Sequence, residues 1–134
     1  WVFKDAMPDA IRTAAADVKQ NSLISYLLRP FESTMKAIDA VIVTSSGGQV
    51  WCIHLQVTIA ETHPTDGKEA ASFLESLVTC AEQSGCVSVL VFVIPPKRFF
   101  KKRTFAWRGQ AIELSAPKAR AMVQFALCPV SSKS

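Results

Sequence analysis

Ala37-Ile38-Asp39-Ala40-Val41-Ile42-Val43-Thr44, then Ser45-Ser46-Gly47-Gly48-Gln49, then Val50-Trp51-Cys52-Ile53-His54-Leu55-Gln56-Val57-Thr58-Ile59-Ala60 is the stretch that decides the fold. Two runs rich in β-branched residues flank a Gly-Gly pair, the composition of a β-hairpin with a tight turn. A turn centred on Gly47-Gly48 fixes the register: residue numbers directly opposite each other sum to a constant. Asp39 is then expected across from Gln56, Val41 from His54, and Val43 from Cys52. Ala40 is expected to meet Leu55, Ile42 to meet Ile53, and Thr44 to meet Trp51. Side chains alternate across a strand, so the apolar odd positions of the second strand, Trp51 to Ile59, read as the core face. The even positions Cys52, His54, Gln56 and Thr58 gather with Asp39 on the other face.

Working outward, Pro8 to Arg29 reads as helical, with Ala10, Ile11, Ala14, Ala15 and Val18 at helical spacing and Pro8 in the first turn. Asn21-Ser22 reads as a break and a new N-cap. Leu23 to Leu28 is then the apolar face of a second helix, ended by Arg29-Pro30. Downstream of the hairpin, Ala70, Phe73, Leu74, Leu77, Val78 and Ala81 mark a helix from Asp66 or Gly67 to Ser84, closed by Gly85. Val87 to Ile94 follows as a buried strand, stopped by Pro95-Pro96. Phe105 to Leu114 reads as a strand, Ala116 to Met122 as a short helix, Val123 to Leu127 as a last strand, and Ser131 to Ser134 as a frayed tail. The fold expected is α/β, a mixed sheet with helices packed on its faces.

The chain has 134 residues and is 49% hydrophobic and 19% charged, the balance of one domain with a core of its own. It begins at Trp1 and not at Met, and reads as a piece of a longer protein. Its core is expected at about residues 22–114 and a C-terminal extension at 115–134. Its first residues lack the basic and apolar regions of a secretory signal. The longest apolar run, Val87 to Ile94, is far short of the ~20 residues a membrane helix needs. Cys52, Cys80, Cys86 and Cys128 form no Cys-x-x-Cys, and no paired histidines stand at zinc spacing. The four thiols read as small apolar residues of a protein kept in a reducing compartment, nucleus or cytoplasm.

Charge is uneven. Of 15 basic residues, six fall within Lys97 to Arg108, a stretch with no acid; elsewhere the acidic residues outnumber the basic ones. Lys97, Arg98, Lys101, Lys102, Arg103 and Arg108 are interleaved with Phe99, Phe100, Phe105 and Trp107. Cations suit phosphates and rings suit bases, so this stretch is the candidate nucleic-acid surface, and Lys101-Lys102-Arg103 doubles as a candidate import signal.

The hairpin itself carries a candidate metal site. Asp39 supplies one carboxylate, Gln56 an amide oxygen and Val57 a backbone carbonyl, the hard ligands Mg²⁺ takes. Glu32 is placed to add a second carboxylate. The chemistry also needs a cation to neutralise the phosphate; Thr58 carries no charge, and His63 or Lys68 are the groups able to supply it. His54, on a strand, reads as a structural histidine.

The stretch Ala37-Ile38-Asp39, Leu55-Gln56-Val57-Thr58 and Thr62-His63-Pro64, followed by a helix, Phe92-Val93-Ile94-Pro95, and Phe99-Phe100-Lys101 through Gln110, resembles the nuclease-like core of Crinkler effectors and of retrotransposon hot spot proteins. The resemblance covers roughly residues 26–112. It implies a PD-(D/E)XK, restriction-endonuclease-like fold, in which an Asp on one strand and an acid-or-amide-x-Lys on the next hold Mg²⁺ for phosphodiester hydrolysis. The site residues it implies are Asp39, Gln56, Thr58 and His63, with Asp39 and Gln56 at the metal. It also implies a nuclear setting with other nuclear proteins as partners, and a P-loop ATPase module outside these 134 residues. Gln56 in place of Glu and Thr58 in place of Lys remove one ligand charge and the catalytic cation. The sequence therefore supports two functions: a Mg²⁺-dependent nuclease, or a silent member of the same fold that binds nucleic acid or protein.

Overall fold

The computed structural model describes residues 1–31, 38–57, 68–93, 102–107, 110–115 and 123–126. A short 3₁₀ turn, Lys4–Ala6, leads into helix α1, Met7–Gln20, with Pro8 in its first turn. Strands β1 (Tyr26–Leu28), β2 (Ala40–Ser46) and β3 (Gln49–Val57) follow. Helix α2 (Lys68–Gln83) and β4 (Val87–Val93) come next. Then come β5 (Lys102–Trp107), β6 (Gln110–Ser115) and β7 (Val123–Ala126). Strands β1 to β4 form a mixed sheet, extended to five strands by β7, while β5 and β6 pair with each other.

The β2–β3 hairpin has the expected register. Seven opposed pairs run from Ser46↔Gln49 to Ala40↔Leu55. Gly47 and Gly48 turn it at φ 60° and 77°, the left-handed region that a two-residue turn of this hand requires at both positions. β3 then pairs in parallel with β4, Trp51 against Val87 through Val57 against Val93. Parallel neighbours need a long crossover, and α2 supplies it. Its C-terminus closes with the Cys86 N–H on the Ala81 carbonyl and the Gly85 N–H on the Glu82 carbonyl, Gly85 standing at φ 79°. This is the paired bonding of a Schellman ending.

Three expectations need correction. The helical reading of Leu23 to Leu28 fails. α1 stops at Gln20, and β1 lies antiparallel to β2, with Tyr26 opposite Val43 and Leu28 opposite Val41. Pro30 denies a second helix its C-terminal turn, and the open edge of β2 offers the segment backbone partners instead. Tyr26 still reaches α1, its hydroxyl donating to Asp17 Oδ2 at 2.6 Å. Second, Phe105 to Leu114 is not one strand but most of a hairpin, with Trp107 opposite Gln110 and Lys102 opposite Ser115.

Third, the core face of β3 is reversed. One buried cluster joins Ile11, Ala14, Ala15 and Val18 of α1 and Leu74, Leu77, Val78 and Ala81 of α2 to Val41, Val43, Cys52 and Leu90 of the sheet. Both helices therefore cover the even face of β3. Cys52 and His54 on that face are wholly buried, while Trp51, Ile53 and Leu55 on the other are half-buried. β2 is apolar at Ala40, Val41, Ile42 and Val43 alike and favoured neither face, so the alternation of β3 alone decided and pointed to the wrong one. Among the described residues, helices lie on one face of the sheet only. The short helix read over Ala116 to Met122 and the frayed tail fall outside the described residues, while Val123–Ala126 is a strand as expected.

Candidate functional site

Of the candidate site residues, Asp39 and Gln56 are described throughout, whereas Glu32, Thr58 and His63 lie outside the described residues. The β2–β3 ladder runs to Ala40↔Leu55. The Asp39 N–H donates to the Leu55 carbonyl at 2.8 Å, so Asp39 and Ala40 both address one residue of β3. Two residues against one is the arrangement of a β-bulge, which turns the chain and re-aims a side chain. Asp39 is exposed; Gln56 is buried to 6% on the helix-covered face.

Next to Gln56 on that face stands His54, between Val41 of β2 and Leu90 of β4 in the register. Burial alone lowers its pKa from 6.5 to about 4, so the ring is neutral at physiological pH. Neither ring nitrogen has a hydrogen-bond partner among the described residues, and neither does the Ser88 hydroxyl, placed opposite Cys52. An apolar core thus contains a polar row that hydropathy assigned to the open face. The covered thiols are inert by the same physics. Burial pushes the Cys52 pKa well above its ordinary value, with Cys86 and Cys80 adding to the shift, and raises those of Cys80 and Cys86 as well.

Among the described residues, no three His, Cys, Asp or Glu side chains converge to hold a metal ion. Mg²⁺ takes an octahedral shell of oxygens; of its candidate ligands the described residues hold Asp39, which is exposed, and Gln56, on the helix-covered face, while Glu32 lies outside them. Nor does either of two hollows on the surface include Asp39 or Gln56. One, of about 430 Å³, lies between α1 and α2 beside Arg12, Ser76 and Thr79. The other, of about 360 Å³, lies below the hairpin turn beside Lys19, Ser45 and Gln49.

The basic stretch is described only in part: Lys97, Arg98, Lys101 and Arg108 lie outside the described residues, and Lys102 and Arg103 open β5. The β5–β6 register places positions 103, 105 and 107 on one side of a two-stranded ladder, two residues apart. A second group was missed by sequence reasoning. Six large apolar side chains are exposed within residues 1–31 (Trp1, Phe3, Leu23, Ile24, Leu27 and Phe31), at the outer margin of β1 or in the N-terminal segment beside it. The signal was present as Trp1 and Phe3 before Lys4 and as Tyr26 and Phe31 on either side of Arg29, but the helical reading of 23–28 hid it. No described helix is long and apolar enough to cross a membrane. No family model, no curated protein and no solved structure matches the chain.

Proposed function

We propose that this chain is a nucleic-acid-binding module on a nuclease-like hairpin, of the retrotransposon hot spot or Crinkler kind, that binds without cutting. The observation that carries the reading is the Lys97 to Arg108 stretch. Six cations and four rings are concentrated there in twelve residues, and its described part is β5, where positions 103, 105 and 107 share one side of a ladder. Cations at this density release counterions from a phosphate backbone, and rings at two-residue spacing suit successive bases. Binding without hydrolysis is supported by the donor set at the hairpin: Gln56 where a second carboxylate is needed, on a face that the helices cover.

Salt titration tests the binding. Affinity for DNA or RNA is expected to fall steeply with salt. Neutralising Lys101, Lys102 and Arg103 together is expected to lower the log–log slope by about 2, at roughly 0.7 per phosphate contact for a single strand. A salt-independent affinity, or a slope unmoved by the triple substitution, overturns it. The Mg²⁺-dependent nuclease is the second reading, favoured by the hairpin register that brings Asp39 near the end of β3. Mg²⁺- or Mn²⁺-dependent cleavage that disappears in Asp39→Ala would establish it. A melting temperature unchanged by either ion is the outcome expected of the silent module.

A further inference from the structure

The rings at the margin of β1 form a surface of their own. Val2 bridges to Pro30 in parallel: the Val2 N–H donates to the Arg29 carbonyl at 2.8 Å, and the Phe31 N–H to the Val2 carbonyl at 2.7 Å. The residues flanking this bridge come together across it. The Arg29 guanidinium lies 4.6 Å over the Trp1 ring, and the Phe3 and Phe31 rings are 4.8 Å apart. Backbone bonds therefore hold the pairs Trp1–Arg29 and Phe3–Phe31 side by side, about 7 Å apart along an extended chain. Trp1, Phe3 and Phe31 nonetheless remain 76%, 59% and 61% exposed. Lys4, next in the chain, adds a second cation, its ammonium 5.2 Å from the Phe73 ring.

We propose that this margin is a stacking surface for single-stranded nucleic acid, separate in sequence from the basic hairpin. The inference rests on the nucleic-acid reading above and adds to it strandedness and a second contact. Its argument is charge complementarity. An apolar partner seated on these rings would strip water from the Arg29 guanidinium without replacing it, which is costly. A phosphate chain pairs with that cation while its unpaired bases lie on the open ring faces. A duplex keeps its bases stacked on each other and offers the rings nothing.

The test compares binding of a labelled oligothymidine and of a duplex of equal length to the 134-residue chain. The variants are Phe3→Ala/Phe31→Ala, Phe3→Tyr/Phe31→Tyr and the Lys101, Lys102, Arg103 triple. All three patch rings are exposed, and an unchanged melting temperature verifies that the variants fold. The alanine pair is expected to lose oligothymidine affinity tenfold or more, with duplex affinity and salt slope unchanged, and the tyrosine pair to retain it. If wild type binds and the alanine pair binds equally well, or loses both targets alike, the stacking surface falls while the nucleic-acid reading stands. If wild type binds neither target, both fall. If the alanine pair instead loses binding only to phosphatidylserine vesicles, the margin is a lipid contact and the proposal is overturned.

Discussion

His54 shows most plainly how one residue sets the chemistry of this fold. Its neutral ring is tolerated in the core, but its imidazolium is not. The unfolded chain takes up a proton near pH 6.5, the folded one only near pH 4. The stability this difference provides is complete above pH 6.5 and is lost as the pH falls toward 4, by about 3 kcal/mol in all. Urea titrations across that range are expected to show the loss, and His54→Leu to remove this part of the pH dependence. Because two nitrogens without a partner among the described residues go with the ring, His54→Leu is also expected to be neutral or stabilising at pH 7. The thiols make a second residue-scale prediction. Cys52, Cys80 and Cys86 are buried and their pKa values are raised, so a thiol reagent is expected to label them far more slowly in the folded chain than in denaturant. Equal rates before and after denaturation would contradict the packing described.

At the scale of elements, the two turn types are open to separate tests. A Cβ at Gly47 would meet nothing within 4 Å, so Gly47→Asn, a residue at ease in the left-handed region, is expected to cost less than ~1 kcal/mol. At Gly85 a Cβ would stand 2.6 Å from Lys19 Nζ. Lys19 can swing its end away, so backbone strain dominates. Gly85→Ala is expected to cost ~1–2 kcal/mol by thermal melting, and Lys19→Ala to recover little of it. Both turns were legible because glycine is nearly obligatory where φ is positive. α1, the hairpin register, α2 and β4 were legible for a related reason: each carries its own period and its own stop. β1 was not, because Leu23 to Leu28 is apolar at almost every position and fits either period. Only the unmatched edge of β2, a tertiary fact, decides for a strand. The division of Phe105 to Leu114 was missed because the apolar residues on either side of Arg108-Gly109-Gln110 were read as one run.

For the whole molecule, the decisive feature is that α1 and α2 share one face of the sheet. Leu77, wholly buried where the helices meet it, is expected to cost about 2–5 kcal/mol when cut to alanine, read as a shift in urea midpoint at constant slope. The same arrangement limited what could be read of the site. Turn geometry alone gave the seven pairs from Ser46↔Gln49 to Ala40↔Leu55, but it set Asp39 opposite Gln56, whereas the Asp39 N–H bonds the Leu55 carbonyl. Which face of β3 would be covered depended on where two helices distant in sequence pack. Alternation says that faces differ, not which one is roofed, so Gln56 and His54 were assigned to the open side and belong to the covered one. The Asp39 N–H bond to Leu55 was equally hidden, since a bulge shows no hydropathy signature.

The crossover between β3 and β4 has a consequence for the order in which the chain assembles. The β2–β3 hairpin closes a two-residue loop and can zip from its turn within microseconds. The parallel partner waits for the 29 residues between Val57 and Val87 to be organised, α2 among them, and pays the loop-closure entropy before its contacts form. Until α2 docks, the hairpin exposes its free flank and a valine-rich segment, Val87 to Val93, has no strand beside it. The vulnerable species during synthesis is therefore a hairpin awaiting its roof, and dilution or low temperature should favour productive refolding over association of that intermediate.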